Sequence, residues 1–205
     1  MLIHGIVCGS RVNGPGLRAV VYFQGCTLAC RNCWNQASHA FTGEERSIAE
    51  VTDLVVSAHR ERPLEGITFS GGEPIQQANA LLALMESLRD QLPQLSFGMY
   101  SGYSEWELSR GQYWCRSELT ERARQNLWSH IRSHLDFAVL GRYVAARPST
   151  LALRTSTNQT LALFSARYCE DDFVQQEVEI HIAPDGFVHV TGFPRAGIPG
   201  SCSPT

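Results

Sequence analysis

The sequence predicts an α/β protein whose core is an incomplete, open β/α barrel and whose C-terminal part adds a β-hairpin. Three observations support this prediction. Short apolar segments alternate with segments of helical period, which indicates parallel strands joined by crossover helices. A complete eight-fold barrel typically takes about 250 residues, whereas this chain has 205. The C-terminal part alternates apolar and polar residues with the period of a strand.

The first strand-to-helix unit begins at residues 19–23, a short apolar run preceded by the turn-rich "VNGPG" and followed directly by "QGCTLACRNCWNQ". Ser47 and Glu50 form a capping box, which predicts the start of a helix. One face of that helix is predicted to carry Ile48, Val51, Leu54, Val55 and Ala58.

The second unit is "LEGITFSGGEP", a buried-type strand that ends in a glycine pair, followed by "IQQANALLALMESLRDQL" with helical period. A third strand in "LSFGMYSGY", a helix in "ERARQNLWSHIRSHL" and a fourth strand in "LDFAVLGRY" continue the pattern. Because binding residues of parallel sheets collect in the loops at the carboxyl ends of the strands, we expect the site there.

The remaining chain predicts a β-hairpin in "VEIHIAPDGFVHVTGFP", with a tight Asp-Gly turn. His181 and His189 are predicted to lie on its solvent face. We therefore divide the chain into a partial barrel at 1–170, a hairpin extension at 171–194 and a flexible tail at 195–205, which is rich in Gly, Pro and Ser.

Composition argues against two classes of partner. The net charge is −3 and no basic block is present that could follow a phosphate backbone, so nucleic acid is not expected as a substrate. The N-terminal "MLIHGIVCGS" lacks the pattern of a signal peptide, and no window approaches 18 consecutive apolar residues. We expect a cytoplasmic protein without membrane association.

Three of the seven cysteines, Cys26, Cys30 and Cys33, are crowded into one loop, which favours metal ligation or redox chemistry over a disulfide framework. Thiolates select soft metals, and four-iron clusters usually take four of them. Three local thiolates would leave one iron open for chemistry. The alternative is a structural zinc site completed by Cys8 or His39, although the spacing lacks paired C-x2-C hooks.

The other cysteines, Cys115, Cys169 and Cys202, lack ligand spacing and are predicted to be buried or incidental free thiols. Cys8 is predicted to be a thiol in the core of a strand.

Cys-x3-Cys-x2-Cys after a first strand, with "GGEP" after a second, resembles the radical S-adenosylmethionine superfamily. The resemblance implies that Cys26, Cys30 and Cys33 hold a [4Fe–4S] cluster and that the open iron is chelated by the amino and carboxylate groups of S-adenosylmethionine. It also implies that Gly71, Gly72 and Glu73 lie against the methionyl end. Adjacent glycines allow close backbone approach, and a carboxylate suits an ammonium group.

Other site residues follow from the same resemblance. The family places an apolar or aromatic residue before the third cysteine, near the adenine, where this chain has Asn32, and Trp34 is a possible substitute. Rim and strand-end candidates are Asn13, Gly14, Pro15, Gly16, Arg18, Ser101, Arg142 and Asn158.

A narrower resemblance, to the activating enzymes of anaerobic ribonucleotide reductase and of pyruvate formate-lyase, rests on six features in order: "VNGPGLR", "GC", "SGGEP", "YSGY", "LGRY" and "LRTSTNQ". It implies reductive cleavage of S-adenosylmethionine to methionine and a 5′-deoxyadenosyl radical, which then takes hydrogen from a glycine of a large partner. It also implies a flavodoxin-type electron donor.

Two other functions stay open from the sequence. A radical S-adenosylmethionine enzyme could act on a small molecule or peptide in a biosynthetic pathway. A non-catalytic metal-binding interaction domain would belong to a different class altogether. The C-terminal hairpin, which could cap the exposed edge strand or change which partner docks, keeps the choice of substrate undecided.

Overall fold

The protein is described by a computed structural model that covers residues 1–174, 178–182 and 188–192. Six strands form one sheet, and two more pair as a hairpin. The strands are β1 (Ile3–Ser10), β2 (Arg18–Phe23), β3 (Gly66–Gly71), β4 (Ser96–Ser101), β5 (Phe137–Leu140), β6 (Thr160–Leu163), β7 (Val178–Ile182) and β8 (Val188–Gly192). The helices are α1 (Ile48–Glu61), α2 (Ala78–Gln91), α3 (Glu105–Ser109) and α4 (Glu121–His134).

The sheet runs in the order β1 to β6. Strands β2, β3, β4 and β5 are mutually parallel, whereas β1 and β6 pair antiparallel at the two ends. The mixed α/β prediction and its four parallel strands are therefore confirmed. The expected repeat of strand, loop and helix did not include either edge strand: β6 was not predicted, and the strand predicted around Cys8, which is β1, was given no place in the sheet. The hydrogen bonds show a six-stranded sheet, so the barrel form of the prediction remains a proposal.

Alternation along the parallel strands divides the molecule into a helix side and a cavity side. Val21, Phe69 and Phe97 are fully buried in the core that the sheet shares with the helices. Their neighbours Tyr22 and Tyr100 point to the other face and line a cavity. Side chains alternate between the two faces of a strand, and here neither face is open to bulk solvent. These strands therefore carry apolar or aromatic residues on both faces, and their sequences are nearly continuous apolar runs.

The helices largely follow the sequence prediction. The capping box of Ser47 and Glu50 is present, with the Glu50 carboxylate accepting from the Ser47 backbone N–H at 2.6 Å. Leu54 was predicted to face the core but is 44% exposed, because the buried stripe runs through Val51 and Val55 instead. No helix among residues 1–174, 178–182 and 188–192 is long and apolar enough to cross a membrane.

Arg18 fills the end of the sheet at which the parallel strands begin. Its guanidinium is fully buried and donates to the Thr68 hydroxyl at 2.8 Å, the Ser96 hydroxyl at 2.8 Å and the Ile67 carbonyl at 2.9 Å. The Phe137 ring centroid lies 5.1 Å from its Cζ. The prediction that Arg18 lines the rim of the site is wrong, since the rim lies at the opposite, carboxyl ends of the strands.

The predicted hairpin is confirmed in β7 and β8, which pair antiparallel from Val178 opposite Gly192 to Ile182 opposite Val188. It lies against the end of β1. The Thr191 and Ser10 hydroxyls are 3.3 Å apart, and the Arg11 N–H donates to the Glu179 carboxylate at 2.8 Å.

Three expectations lie outside the described part of the chain: the Asp-Gly turn, the tail at 195–205, which includes Cys202, and the side chains of His181 and His189. The division of the chain into a barrel, an extension and a tail stays a prediction.

Candidate functional site

A cavity of about 480 Å³ lies at the carboxyl ends of the parallel strands. This volume falls in the range of small-molecule and cofactor sites, about 300–1,000 Å³. It brings together eight of the nine sequence-predicted ligand and cofactor residues and one of the predicted rim residues, Asn13. The eight are Cys26, Cys30, Cys33, Trp34, Gly71, Gly72, Glu73 and Ser101.

The cysteine loop is anchored at both ends by backbone hydrogen bonds. The Gly25 N–H donates to the Ser38 carbonyl at 2.7 Å, and the Cys26 N–H donates to the His39 carbonyl at 2.9 Å. A Cβ on Gly25 would lie 2.3 Å from the Phe41 ring, so the entry to the loop requires glycine. These contacts direct the chain after β2 back over the end of the sheet.

Two left-handed residues shape the interior of the loop. Ala29 has φ of 45° and Asn32 has φ of 58°, values that side chains other than glycine adopt infrequently. Each directly precedes a cysteine, and the Cys33 N–H closes a turn onto the Cys30 carbonyl at 3.1 Å. The tight turns aim three separated thiols at one cavity, which spacing alone did not establish.

The thiols of Cys26 and Cys33 lie in an environment that disfavours their anionic form when no metal is bound. Burial, with smaller contributions from the charges of Glu73 and Cys30, raises the pKa of Cys26 to about 11. Burial also raises the pKa of Cys33, with a contribution from Cys30. A cationic metal centre would reverse these effects, because thiolate ligands are deprotonated when they bind metal.

The donor set fits an iron–sulfur cluster better than a single ion. Among the described residues, no three His, Cys, Asp or Glu side chains form a group that could hold one metal ion. A four-iron cluster takes its thiolates on different irons, so the thiols need not converge on a point. Three free thiols around one cavity match that requirement.

Cys8 is excluded as a fourth ligand by its place in the sheet. It pairs with Ala19, near the start of β2, whereas the cysteine loop follows Phe23. Four residue steps along the strand, from Ala19 to Phe23, separate these positions by roughly 13 Å. Its thiol is also exposed, so the prediction of a thiol in the strand core is wrong: β1 is an edge strand whose outward side chains meet solvent.

Glu73 has a buried carboxyl group to which three neighbouring groups donate hydrogen bonds. Glu73 is only 1% exposed. Its carboxylate accepts hydrogen bonds from the Ser101 hydroxyl at 2.9 Å, the Gly102 N–H at 2.7 Å and the Ile75 N–H at 3.1 Å. Burial raises the pKa of Glu73 to about 7, and the hydrogen bonds offset only part of that effect. The group is therefore poised to gain from a cation in the cavity.

Gly71 and Gly72 allow two backbone segments to approach closely. A Cβ on Gly72 would lie 2.4 Å from the Gly25 carbonyl oxygen, and one on Gly71 would lie 2.4 Å from the Phe23 nitrogen. Gly71 also has φ of 102°. The Glu73 N–H then donates to the Gly25 carbonyl at 2.9 Å. The "GGE" segment is thus tied directly to the start of the cysteine loop.

The two adenine candidates differ in position. Trp34 lines the cavity, and its ring centroid lies 6.2 Å from that of Tyr143. Asn32 is exposed and lies outside the residues that line the cavity. The geometry brings Trp34, rather than Asn32, to the site.

The remaining strand-end candidates lie outside the cavity. Arg142 pairs with the Glu107 carboxylate at 2.9 Å, and Asn158 donates to the Arg142 carbonyl at 2.8 Å. A Cβ on Gly14 would lie 2.6 Å from the Phe137 ring, and Gly16 packs against Glu65. These glycines, like Pro15, whose carbonyl accepts from Arg18, belong to the loop beneath the sheet.

Sequence reasoning missed several residues that line the cavity: Tyr22, Tyr100, Tyr143, Thr155 and Gln159. Tyr143, Thr155 and Gln159 fall within or next to motifs already noted, "LGRY" and "LRTSTNQ". Tyr100 is the first residue of the motif "YSGY", whereas Tyr22 gave no such signal, because a strand that is apolar on both faces does not reveal which face is open.

Comparison with known proteins agrees with this geometry. A family model described as a 4Fe-4S single cluster domain matches residues 12–162. The chain belongs to this family. The match contains all three cysteines of the loop as well as Gly71, Gly72 and Glu73, and it ends before the hairpin of β7 and β8.

Curated relatives of this family member carry the names of activating enzymes. The anaerobic ribonucleoside-triphosphate reductase-activating protein of Vibrio cholerae is 30% identical over 49% of this chain and 68% of its own length. That of Pasteurella multocida is 27% identical over 75% of this chain and 92% of its own. The pyruvate formate-lyase-activating enzyme of Clostridium pasteurianum is 36% identical over 43% of this chain and 39% of its own. The resemblance to activating enzymes, and with it the enzyme class, is confirmed.

Proposed function

We propose that this protein is a radical S-adenosylmethionine enzyme that generates a glycyl radical on anaerobic ribonucleotide reductase or a similar partner. One observation carries the proposal: three free thiols and the buried carboxylic acid of Glu73 line one cavity, inside a segment that matches a 4Fe-4S cluster family. A cluster alone would not need a buried carboxylate beside it.

Each group has a role in this proposal. Cys26, Cys30 and Cys33 would hold the [4Fe–4S] cluster, whose open iron would take the amino and carboxylate groups of S-adenosylmethionine. Glu73 meets the ammonium, with Gly71 and Gly72 allowing backbone approach, as their crowded surroundings support. Ser101 donates to Glu73 and keeps its carboxylate turned toward the cavity. The aromatic pair of Trp34 and Tyr143 is the surface offered to the adenine.

The cofactor supplies the difficult step, and the chain supplies orientation. A bound, reduced cluster would supply one electron to break the bond between the sulfur and the 5′ carbon of S-adenosylmethionine, which would leave methionine and a 5′-deoxyadenosyl radical. That radical would take one hydrogen atom from a glycine Cα of the partner, giving 5′-deoxyadenosine and a stored glycyl radical. An incomplete barrel suits this work, because a partner loop must reach the 5′ carbon. The electron donor is a flavodoxin-type protein, and the setting is the cytoplasm.

The proposal is tested with the reconstituted protein and the catalytic subunit of anaerobic ribonucleotide reductase. With dithionite and S-adenosylmethionine, we expect a glycyl signal by electron paramagnetic resonance on the reductase. The signal should be absent when either S-adenosylmethionine or this protein is omitted. Cleavage of S-adenosylmethionine without any radical on the reductase would overturn the partner and leave the cofactor chemistry standing.

One observation favours a second candidate function. Val190, Thr191 and Gly192 of the hairpin line the same cavity, and the hairpin lies outside the family match. A wall added to the cavity is what a small-molecule or peptide substrate of a biosynthetic enzyme would need. Product analysis after incubation with cell extract distinguishes the two functions. A biosynthetic enzyme would consume a small-molecule or peptide substrate in proportion to the 5′-deoxyadenosine that it forms.

A non-catalytic metal-binding domain is the weakest of the three functions, because it explains neither the buried Glu73 nor the family match. Metal analysis showing one zinc and no iron or sulfide would restore it.

A further inference from the structure

Gln76 is a buried polar residue to which neither the motifs nor the comparisons give a role. It lies in the short 3-10 turn Pro74–Gln77, between the "GGE" segment and α2, and is fully buried. A buried primary amide is retained only when its donors and acceptor are used, because each unpaired group costs free energy. Its partners therefore indicate its purpose.

The Gln76 amide forms two hydrogen bonds with Thr27, the residue that follows Cys26. Its Oε1 accepts from the Thr27 backbone N–H at 2.9 Å, and its Nε2 donates to the Thr27 hydroxyl at 2.7 Å. Within the described chain, Gln76 supplies the hydrogen bonds that residues 27–32 receive from outside the cysteine loop. Together with the packing of Leu28 against the core, this one side chain therefore holds the stretch that includes Cys30.

The same amide reaches the other half of the site through Tyr103. Its Nε2 donates to the Tyr103 hydroxyl at 3.0 Å. The Tyr103 N–H in turn donates to the Ser101 hydroxyl at 3.1 Å, and Ser101 donates to Glu73 at 2.9 Å. A continuous set of hydrogen bonds thus connects the cysteine loop with the carboxylate that faces the cavity.

We propose that Gln76 is a positioning residue for the cluster, which fixes the Cys26 end of the loop relative to Glu73. This inference rests on the proposed function only in placing a cluster at Cys26, Cys30 and Cys33. Residues that orient metal ligands without touching the metal typically change metal affinity about 10- to 100-fold when they are replaced. Gln76 has the contacts of such a residue.

The test uses the full chain, anaerobically reconstituted, without S-adenosylmethionine or partner. Gln76→Leu removes all three hydrogen bonds and keeps a side chain of similar size. We expect the variant to lose iron to a chelator about 10- to 100-fold faster than the parent protein. Asn79→Ala is the matched control, because this amide is exposed on α2 and binds only the Ser117 hydroxyl, at 3.0 Å, in the described part of the chain. It should retain iron like the parent protein.

Gln76→Glu separates positioning from simple destabilisation. Its carboxylate can still accept from the Thr27 N–H and from the Thr27 and Tyr103 hydroxyls, so the loop should stay in place. Burial disfavours the ionised form of such a carboxyl, as it does for Glu73, so the reduction potential is measured up to a pH at which the carboxyl is ionised. The added negative charge beside the loop should then shift the reduction potential of the cluster to a lower value. We expect iron retention within about threefold of the parent, a margin smaller than the loss assigned to misplaced ligands.

Two results would overturn the inference. The first is Gln76→Leu with parental iron loss, reduction potential and electron paramagnetic resonance spectrum of the reduced cluster. The second, decisive if Gln76→Leu does not fold, is Gln76→Glu with the parental reduction potential even at a pH that ionises the added carboxyl. Because none of these measurements involves S-adenosylmethionine, failure of the parent protein to cleave it would overturn the proposed function and leave this inference untouched.

Discussion

Glu73 is held away from water by the same backbone that presents it to the cavity. Its neighbours donate three hydrogen bonds, yet burial dominates and raises the pKa of the Glu73 carboxyl to about 7. In the protein without cofactor, a large part of this group is therefore protonated at neutral pH. A cation entering the cavity would favour the ionised form.

The stability of the cofactor-free protein should depend on pH through Glu73. The folded state keeps the proton up to about pH 7, whereas the unfolded chain releases it near the ordinary value of 4.5. Unfolding therefore releases a proton between these values, so the free energy of unfolding falls as pH rises from 4.5 through 7, by roughly 3 kcal/mol at most. Urea unfolding across this range, compared with Glu73→Gln, checks the slope. An equal slope in the variant would show that another group is responsible.

Gly72 should be intolerant of a single added methyl group. A Cβ there would lie 2.4 Å from the Gly25 carbonyl oxygen, which is backbone and cannot rotate away. Gly72→Ala should lower the free energy of unfolding by about 1–3 kcal/mol, as other overpacked sites do. Gly5→Ala is the control, since a Cβ at Gly5 meets no atom within 4 Å. Equal effects of the two substitutions on urea unfolding would contradict the account.

At the scale of elements, the sequence predicted what depends on local chemistry. α1 was found from Ser47 and Glu50 because a capping box is a local signal. α3 was missed because five residues are too few to show a helical period, although Ser104 and Glu107 form the same box. The place of β1 in the sheet was missed for a different reason. β1 is an edge strand, and its pairing with β2 is a long-range choice that its own residues do not reveal.

The cap of α1 should contribute measurably to stability and not to the site. Ser47→Ala removes the hydroxyl that accepts from the Glu50 N–H at 3.2 Å, and we expect a loss of about 1 kcal/mol in the free energy of unfolding. Ser57→Ala, at an exposed position within the same helix, should cost nothing comparable. Both variants should incorporate iron like the parent. Loss of iron in Ser47→Ala would mean that α1 supports the cluster directly.

The hairpin should affect activation of the partner and not binding of the cluster or cleavage of S-adenosylmethionine. β7 and β8 lie outside the family match, and their described contacts with the rest of the chain include Ser10 and Arg11 at the end of β1. A chain that ends at the exposed Val174 should therefore retain its cluster and cleave S-adenosylmethionine, while its activation of the reductase changes. Iron content, 5′-deoxyadenosine and the glycyl signal report these separately. Loss of the cluster on truncation would contradict this division.

At the scale of the whole molecule, the site exists because four parallel strands end at the same edge of the sheet. The sequence predicted this edge, the three thiols and the "GGE" segment from motifs and strand order. It could not predict that Trp34 reaches the cavity while Asn32 does not, because that depends on left-handed turns inside the loop. Nor could it predict that Arg18 is buried at the end of the sheet where the parallel strands begin. Charged residues are almost never fully buried, and the burial of Arg18 is possible only because surrounding carbonyls and hydroxyls accept its hydrogen bonds.

The central claim is that three thiolates and one open iron cleave S-adenosylmethionine. Its most direct test is product analysis after anaerobic reconstitution and reduction with dithionite, in the parent protein and in Cys30→Ala. The account predicts equal amounts of methionine and 5′-deoxyadenosine from the parent and neither from Cys30→Ala, because two remaining thiolates should not hold the cluster. A parent protein that binds iron and sulfide but forms no 5′-deoxyadenosine would contradict it, as would full cleavage by Cys30→Ala.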